Sequence, residues 1–94
     1  MRLEKWEVEI IKKSAKEVFG ENVKVILFGS RVYDNKKGGD IDLYVITDKP
    51  TFEKKSEFWI LLQERLGEQK IDIVFNENKN RPIEQTVLRE GIEL

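Results

Sequence analysis

Residues 23–43 read VKVILFGSRVYDNKKGGDIDL, and this stretch decides the fold. Its first part, from Val23 to Phe28, is β-branched and aromatic, as is typical of a buried strand, and it stops at Gly29. The polar run from Asp34 to Gly39 predicts a loop. From Asp40 to Thr47 the residues alternate well enough to predict a second strand. The stretch is therefore interpreted as strand, turn or short helix, loop and strand.

Helices and one more strand are predicted on both sides of this stretch. Apolar residues recur at helical intervals from Leu3 to Phe19, and Gly20 ends that helix. The remaining elements are a turn at Asp48–Pro50, a helix capped by Thr51 and closed by Gly67, a strand from Lys70 to Phe75, and a last helix from Pro82 that ends before Gly91. The sequence thus predicts a single α/β (α+β) domain over residues 1–94, with a small three-stranded sheet and about four helices.

The apolar residues of the two longer helices predict which faces are buried. In the first helix one stripe contains Ile11, Ala15 and Val18, and its neighbour contains Trp6 and Ile10. In the helix after Thr51 the predicted core face carries Phe52, Trp59, Leu62 and Leu66. Ile60 and Leu61 fall outside that face. The first helix also has an apolar arc that is broader than one sheet face can cover. Because so small a core cannot easily bury both this arc and Ile60 with Leu61, we expect an interface, either with a partner protein or between copies of this chain.

The composition limits the available chemistry. The chain has no cysteine and no histidine, which excludes disulfides, thiolate catalysis and a histidine base. Any catalysis must rest on carboxylates, hydroxyls and a hard metal ion. The formal net charge of −1 argues against a nucleic-acid partner, since such binders usually carry a basic excess. No apolar run is long enough to span a bilayer and the first residues lack a signal-peptide pattern, so we expect a cytoplasmic protein without a membrane partner.

Aspartates inside strands are the main chemical signal. Asp40 and Asp42 lie two apart, so both side chains point to one face and their charges repel. The chain uses glutamate 13 times and aspartate 5 times, and three of those aspartates fall in predicted strands, where aspartate is depleted. A bound divalent cation would relieve the repulsion, because Mg²⁺ takes carboxylates together with phosphate oxygens. The alternative is a strand whose polar face is simply hydrated.

Asp72 adds a third acid, because its side chain points away from those of Ile71 and Ile73 and needs a partner. If the strands of Asp42 and Asp72 are neighbours, the three acids form one cluster with the geometry of a two-metal site. Without a histidine, the third carboxylate could also accept a proton from an attacking hydroxyl. The alternative is a salt bridge from Asp72 to Lys70 or Lys24.

The turn Gly29-Ser30 follows a strand and precedes a possible helix start, where free backbone N–H groups attract phosphate. Glycine lets a phosphate approach the backbone closely, although the same dipeptide also occurs in ordinary turns. Arg31 is either a further phosphate contact or a solvated surface charge. No Gly-Lys-Ser/Thr phosphate loop and no EF-hand spacing is present, which argues against a kinase or a calcium site.

Taken together, Gly29-Ser30-Arg31 and Gly39-Asp40-Ile41-Asp42-Leu43 resemble the signature of the DNA polymerase beta-like nucleotidyltransferase superfamily. The small size resembles its minimal nucleotidyltransferase branch, and the leading helix, the later strand aspartate and Glu90-Gly91 follow the family order. The resemblance implies a nucleotidyltransferase fold with a small mixed sheet. Two departures affect the nucleotide-facing loop: Gly39 stands where the family usually has serine, and Val32-Tyr33-Asp34 stand where small residues are common.

The resemblance also implies roles for individual residues. Asp40, Asp42 and Asp72 would bind metal, expected to be two Mg²⁺ ions, and would carry the catalysis. Gly29, Ser30 and Arg31 would hold the triphosphate of ATP, the expected substrate.

Proteins of this kind are often antitoxins paired with a HEPN-domain ribonuclease, which they silence by transferring AMP to a tyrosine. The expected activity is therefore a protein adenylyltransferase in a toxin–antitoxin pair. The alternative functions are a non-catalytic nucleotide- and metal-binding module that neutralises a partner by contact, and a structural domain with a hydrated acidic strand.

Overall fold

A computed structural model of the chain describes residues 3–29, 40–76 and 81–94. The described residues form three helices and four strands in alternating groups along the chain. In chain order the elements are α1 (Lys5–Phe19), β1 (Lys24–Phe28), β2 (Ile41–Ile46), α2 (Phe52–Leu66), β3 (Ile71–Phe75), α3 (Pro82–Glu90) and β4 (Ile92–Glu93). This is the predicted α+β arrangement.

The four strands make one mixed sheet in the order β3-β2-β1-β4. β1 is antiparallel to both β2 and β4, whereas β2 and β3 are parallel and are connected through α2. A parallel pair needs such a crossover, because a tight turn cannot return the chain to the same end of the sheet. The crossover makes β2 and β3 neighbours, which is what an acidic cluster requires.

The sheet has two unequal faces. The larger apolar cluster lies on one side, where α1 and α2 contribute residues such as Ile11, Phe58 and Leu62 and the strands contribute Leu27 and Leu43. On the other side a smaller cluster of Phe28, Tyr44 and Val87 lies beneath α3. Because strand side chains alternate, the residues of β2 and β3 that face α3 are the even-numbered ones, including both strand aspartates.

The sheet has one strand more than the sequence predicted, and three helices are described where about four were expected. The extra strand is β4, whose pairing continues into a bond from the Leu94 N–H to the Val25 carbonyl at 2.9 Å. Two residues are too few to produce an alternating pattern, so the sequence carries no signal for β4. The turn or helix predicted after Ser30 lies outside the described residues.

The predicted ends of the other elements agree with the structure to within about two residues, as is usual for such boundaries. Thr51 is the N-cap of α2 and accepts a bond from the Lys54 N–H at 3.2 Å, and α2 gives way at Gly67. None of the described helices has the length and apolar content needed to cross a membrane.

The predicted core face of α2 is partly wrong. Phe58, Leu62 and Leu66 are buried, whereas Phe52 is 81% exposed and Trp59 is 42% exposed. The spacing from residue 58 to Leu62 and the spacing from residue 59 to Leu62 both fit one face of a helix, so periodicity alone could not choose between them. Trp59 instead lies at the border of that face, where its indole Nε1–H donates to the Ile71 carbonyl at 3.1 Å.

The predicted surplus of apolar residues is confirmed only in part. Ile60 is 50% exposed, as its position off the core face implies. Leu61, however, is partly buried and packs against the larger core cluster, so it lies at the border of the buried face of α2. Of the two stripes on α1, the one with Ile11, Ala15 and Val18 is buried, whereas Trp6 on its neighbour is 54% exposed.

Candidate functional site

The sheet register brings the strand aspartates together. Asp42 in β2 is the direct partner of Asp72 in the parallel β3, and Asp40 immediately precedes β2. One carboxylate oxygen from each of the three residues can be chosen so that all lie within 4.8 Å of one another. The predicted cluster of three acids therefore exists at one end of the parallel pair, although its role in catalysis stays a prediction.

The cluster carries an excess of negative charge. Burial raises the pKa of the Asp42 carboxyl, and repulsion from Asp72 and Asp40 raises it further. Lys70 acts in the opposite direction, and its Nζ lies 3.5 Å from the Asp40 Oδ2 atom. A single ammonium group cannot balance three carboxylates, so the ionised cluster favours a cation.

The alternative considered for Asp72 was a salt bridge to Lys70 or Lys24, and the structure places both lysines differently. Lys70 pairs with Asp40 rather than with Asp72. Lys24 begins β1 opposite Ile46, whereas Asp42 is opposite Phe28 at the far end of the same strand pair. The Lys24 ammonium is therefore several residues along the sheet from the acidic cluster.

Gly29 connects the end of β1 to the cluster. Its φ of 77° lies in the left-handed region that favours glycine. A Cβ atom added at Gly29 would collide with the Asp42 carboxylate and would lie 3.2 Å from its Cγ. The Asp42 carboxylate therefore occupies the space that a side chain at residue 29 would need. Ser30 and Arg31, which were predicted to bind phosphate with Gly29, lie outside the described residues.

The residues present fit a divalent metal ion of the hard type. The donors are three carboxylates and include no nitrogen or sulfur ligand, which is the set preferred by Mg²⁺ and Mn²⁺. Asp42 is half-buried and its charged form is destabilised, so a cation between the carboxylates would remove an existing cost. The same carboxylates leave further coordination positions for water or phosphate oxygens.

A comparison with models of protein families adds the decisive observation. Residues 9–94 match the family described as polymerase beta, nucleotidyltransferase. The chain belongs to the polymerase beta nucleotidyltransferase family. No curated protein matches this chain significantly. The family match covers every described strand and most of α1, and it agrees with the resemblance seen in the sequence. The family is one of nucleotidyltransferases, so the class of reaction it supports for this chain is the transfer of nucleotidyl groups.

A groove of about 650 Å³ opens beside the acids in this nucleotidyltransferase domain. Its lining residues come from the strands, from α2 and from the start of α3, and they are Phe28, Asp42, Phe52, Lys55, Ser56, Trp59, Ile60, Ile71, Asp72, Ile73, Val74 and Ile83. The sequence reasoning missed the groove, because it assigned Phe52 and Trp59 to the core. The available signal was the second set of apolar residues on α2, which indicated a surface beyond the core.

A buried polar network holds α3 beside the site. Tyr44, two residues after Asp42 on the same face, donates its hydroxyl proton to the Glu84 Oε2 atom at 2.7 Å. Arg81 donates to both carboxylate oxygens of Glu84, at 3.0 and 2.6 Å, and to the Phe75 carbonyl at 2.7 Å. Burial and then Glu84 raise the pKa of Tyr44 to about 12, so its hydroxyl stays protonated. The network ties the start of α3 to the end of β3.

Proposed function

We propose that this nucleotidyltransferase transfers the AMP part of ATP to a hydroxyl group on another protein. The observation that carries the proposal is the convergence of three carboxylates within 4.8 Å beside Gly29, in a chain of this family. Such a cluster suits divalent metal ions and a triphosphate, because its negative oxygens bind the metal ions and the metal ions neutralise the phosphate charge.

Asp40 and Asp42 would hold the metal ions together with Asp72, and the backbone at Gly29 and Ser30 would receive the triphosphate. When bound, Mg²⁺ would neutralise the phosphate charge that develops during transfer. Arg31 would contribute a further cation to the triphosphate. Gly29 lies against the Asp42 carboxylate, so a metal ion on Asp42 and a triphosphate at Gly29 would bind together.

The reaction is a displacement at the α-phosphorus of ATP. The acceptor hydroxyl oxygen forms a bond to that phosphorus while the bond to the bridging oxygen of the β-phosphate breaks. Pyrophosphate leaves, and the acceptor becomes a phosphodiester of AMP. The hydroxyl proton passes to the Asp72 carboxylate, which is exposed and returns it to water.

A protein acceptor is supported by the surface around the acids. Exposed apolar side chains of α2, namely Phe52, Trp59 and Ile60, adjoin Asp72 in one groove. Contiguous exposed apolar surface is typical of protein interfaces. The formal net charge of −1 gives no general attraction to a nucleic-acid acceptor.

The proposed partner is a HEPN-domain ribonuclease, silenced when AMP is attached to one of its tyrosines, so that this chain acts as the antitoxin of a pair. The support is the resemblance of Gly29-Ser30-Arg31 and Gly39-Asp40-Ile41-Asp42 to minimal nucleotidyltransferases. The competing occupant of the apolar surface is a second copy of this chain.

Labelled ATP tests the proposal. The protein is incubated with Mg²⁺ and cell extract and with ATP labelled either at the α-phosphorus or at the γ-phosphorus, and proteins are then separated. Nucleotidyl transfer predicts a labelled protein with α-labelled ATP only, no label after chelation of the metal, and no label with Asp42→Asn. Label from the γ-phosphorus would indicate a kinase, and a partner that binds without becoming labelled would contradict catalysis.

A further inference from the structure

We infer that the acceptor is an extended polypeptide segment that pairs with the free edge of β3 and places a hydroxyl side chain beside Asp72. The inference rests on the proposed function and specifies how its protein acceptor docks. It combines three observations: an open strand edge, an apolar wall beside that edge, and the acids on the adjoining face.

β3 is an edge strand, because β2 is its neighbour on one side and the described sheet ends on the other. The Ile41 N–H donates to the Lys70 carbonyl at 3.0 Å, so Lys70 directs its backbone groups toward β2. Backbone direction alternates along a strand, and Asp72 and Val74 therefore also bond toward β2. The N–H and C=O groups of Ile73 consequently point to the free edge.

The outward carbonyls on either side of Ile73 already have partners. The Ile71 carbonyl accepts a bond from the Trp59 indole at 3.1 Å, and the Phe75 carbonyl accepts one from Arg81 at 2.7 Å. Among the described residues, no hydrogen bond joins a partner to the outward groups of Ile73. An exposed donor and acceptor of this kind is a template for an added strand.

The groove gives that strand an apolar wall. On the α2 side it is lined by Phe52, Trp59 and Ile60, whose exposed fractions are 81%, 42% and 50%. Its volume of about 650 Å³ is within the usual range of ligand sites. Apolar walls around free backbone groups suit a peptide rather than a polyanion, because the charged residues that line the groove within the described part of the chain are Asp42, Asp72 and Lys55.

Strand geometry determines which acceptor side chain reaches the acids. Side chains of neighbouring strands that lie side by side point to the same face, about 5 Å apart at Cβ. An acceptor residue beside Asp72 therefore points to the α3 side, where the carboxylates lie. The residues before and after it point to the α2 side, toward Trp59 and Ile60. The acceptor should thus be a hydroxyl residue with apolar residues at both adjacent positions.

Peptide libraries test this preference. The probes are peptides with a central tyrosine or serine and three randomised positions on each side, incubated with Mg²⁺ and α-labelled ATP. We expect the labelled peptides to be enriched in apolar residues at positions −1 and +1 and not at −2 and +2. Label without this alternation would overturn the inference.

Surface variants give a matched control. Phe52→Lys and Ile60→Lys change exposed residues of the groove, and Leu88→Lys changes a residue that is 86% exposed on α3 and does not line the groove. We expect the groove variants to lose roughly tenfold or more in peptide labelling, as the loss of central interface residues does. Leu88→Lys should label as the wild type does, and all three should bind ATP with Mg²⁺ normally. Equal labelling by the groove variants would contradict the docking site.

Amide exchange measured by NMR provides a readout besides activity. The Ile73 amide of the free protein should exchange quickly for a strand residue, and saturation with a selected peptide should slow its exchange. No slowing would overturn strand pairing.

Labelling of intact proteins but of no peptide would also contradict the inference while leaving the proposed function in place. Absence of label on every acceptor would overturn both. A wild-type dimer that Ile60→Lys dissociates would instead assign the edge to self-association.

Discussion

The carboxylate of Asp42 is destabilised by its surroundings in the folded chain. It is half-buried on β2, its strand partner is Asp72, and Gly29 packs against it from the end of β1. Few residues in a small domain are held in an unfavourable charge state unless a ligand compensates. The cluster is therefore interpreted as a site prepared for a cation, and its cost to the metal-free protein is measurable.

The first prediction concerns the pH dependence of that cost. Burial and the neighbouring acids raise the pKa of Asp42 above its unfolded value, so the folded state binds the proton more tightly. This contribution to stability is present below the unfolded pKa, about 4, and is lost as pH rises through the raised pKa. In chelator, the free energy of unfolding of Asp42→Asn relative to that of the wild type should increase as pH rises from about 4 through the raised pKa of Asp42. If urea titrations show a difference in free energy of unfolding between variant and wild type that does not change with pH, the Asp42 charge is not unfavourable in the folded state.

A second prediction concerns Gly29. In Gly29→Ala the new methyl group meets the Asp42 carboxylate, so the carboxylate must move and ATP with Mg²⁺ should bind more weakly. Gly67→Ala is the matched control, because Gly67 has a similar φ of 88° but no atom within 4 Å of an added Cβ. Both variants should lose stability from backbone strain, of about 1–3 kcal/mol. Titration of ATP in Mg²⁺ should show weaker binding in Gly29→Ala alone, and equal affinities would contradict the contact.

At the residue scale the sequence predicts the three acids well and the contacts between them poorly. Asp40, Asp42 and Asp72 stand out because aspartate is scarce in this chain and disfavoured in strands. The pairing of Lys70 with Asp40, and the packing of Gly29 on Asp42, depend on side-chain positions across three strands. No local pattern encodes contacts of that kind.

Among the elements, α2 presents two apolar surfaces, one to the core and one to the groove. Phe58, Leu62 and Leu66 bury one face against the sheet, while Phe52, Trp59 and Ile60 line the groove. Phe58 also makes an edge-to-face contact with Phe19, at 5.5 Å between ring centroids. One helix thus joins the core to the candidate acceptor surface.

A third prediction distinguishes the two surfaces of α2 by the stability that each contributes. Phe58→Ala removes a fully buried aromatic side chain and should cost about 3–5 kcal/mol, enough to unfold much of a small domain. Phe52→Ala removes an exposed ring and should change the free energy of unfolding by about 0.5 kcal/mol or less. Chemical denaturation of both variants measures this. Similar losses would mean that the two phenylalanines have been assigned to the wrong sides of α2.

The lengths and order of the elements follow from the sequence, but the rotation of α2 does not. Thr51 and Gly67 mark its ends, because a cap and a glycine have local signatures. Two apolar faces fit the same spacing, and tertiary packing selects the one that contains Phe58. The strand β4 is likewise set by pairing with β1, since its two residues have no periodicity of their own.

On the scale of the whole molecule, topology creates the site. The crossover through α2 places β3 parallel to β2 and in register, so that residues thirty positions apart in sequence become Asp42 and Asp72 side by side. The sequence could state this only as a condition, because strand order is a property of the sheet. With the register known, Asp42 and Asp72 line the groove and Gly29 lies against the Asp42 carboxylate.

Thermal unfolding with ATP, with Mg²⁺ and with both tests the central claim most directly. If the three aspartates form a metal-dependent nucleotide site, only the combination should raise the melting temperature strongly. At one hundred times the dissociation constant the gain is about 2.7 kcal/mol, which corresponds to roughly 10 °C or more for a domain of this size. Asp42→Asn should lose this shift, and Leu88→Lys should keep it. No shift in the wild type, or an equal shift in Asp42→Asn, would contradict the account.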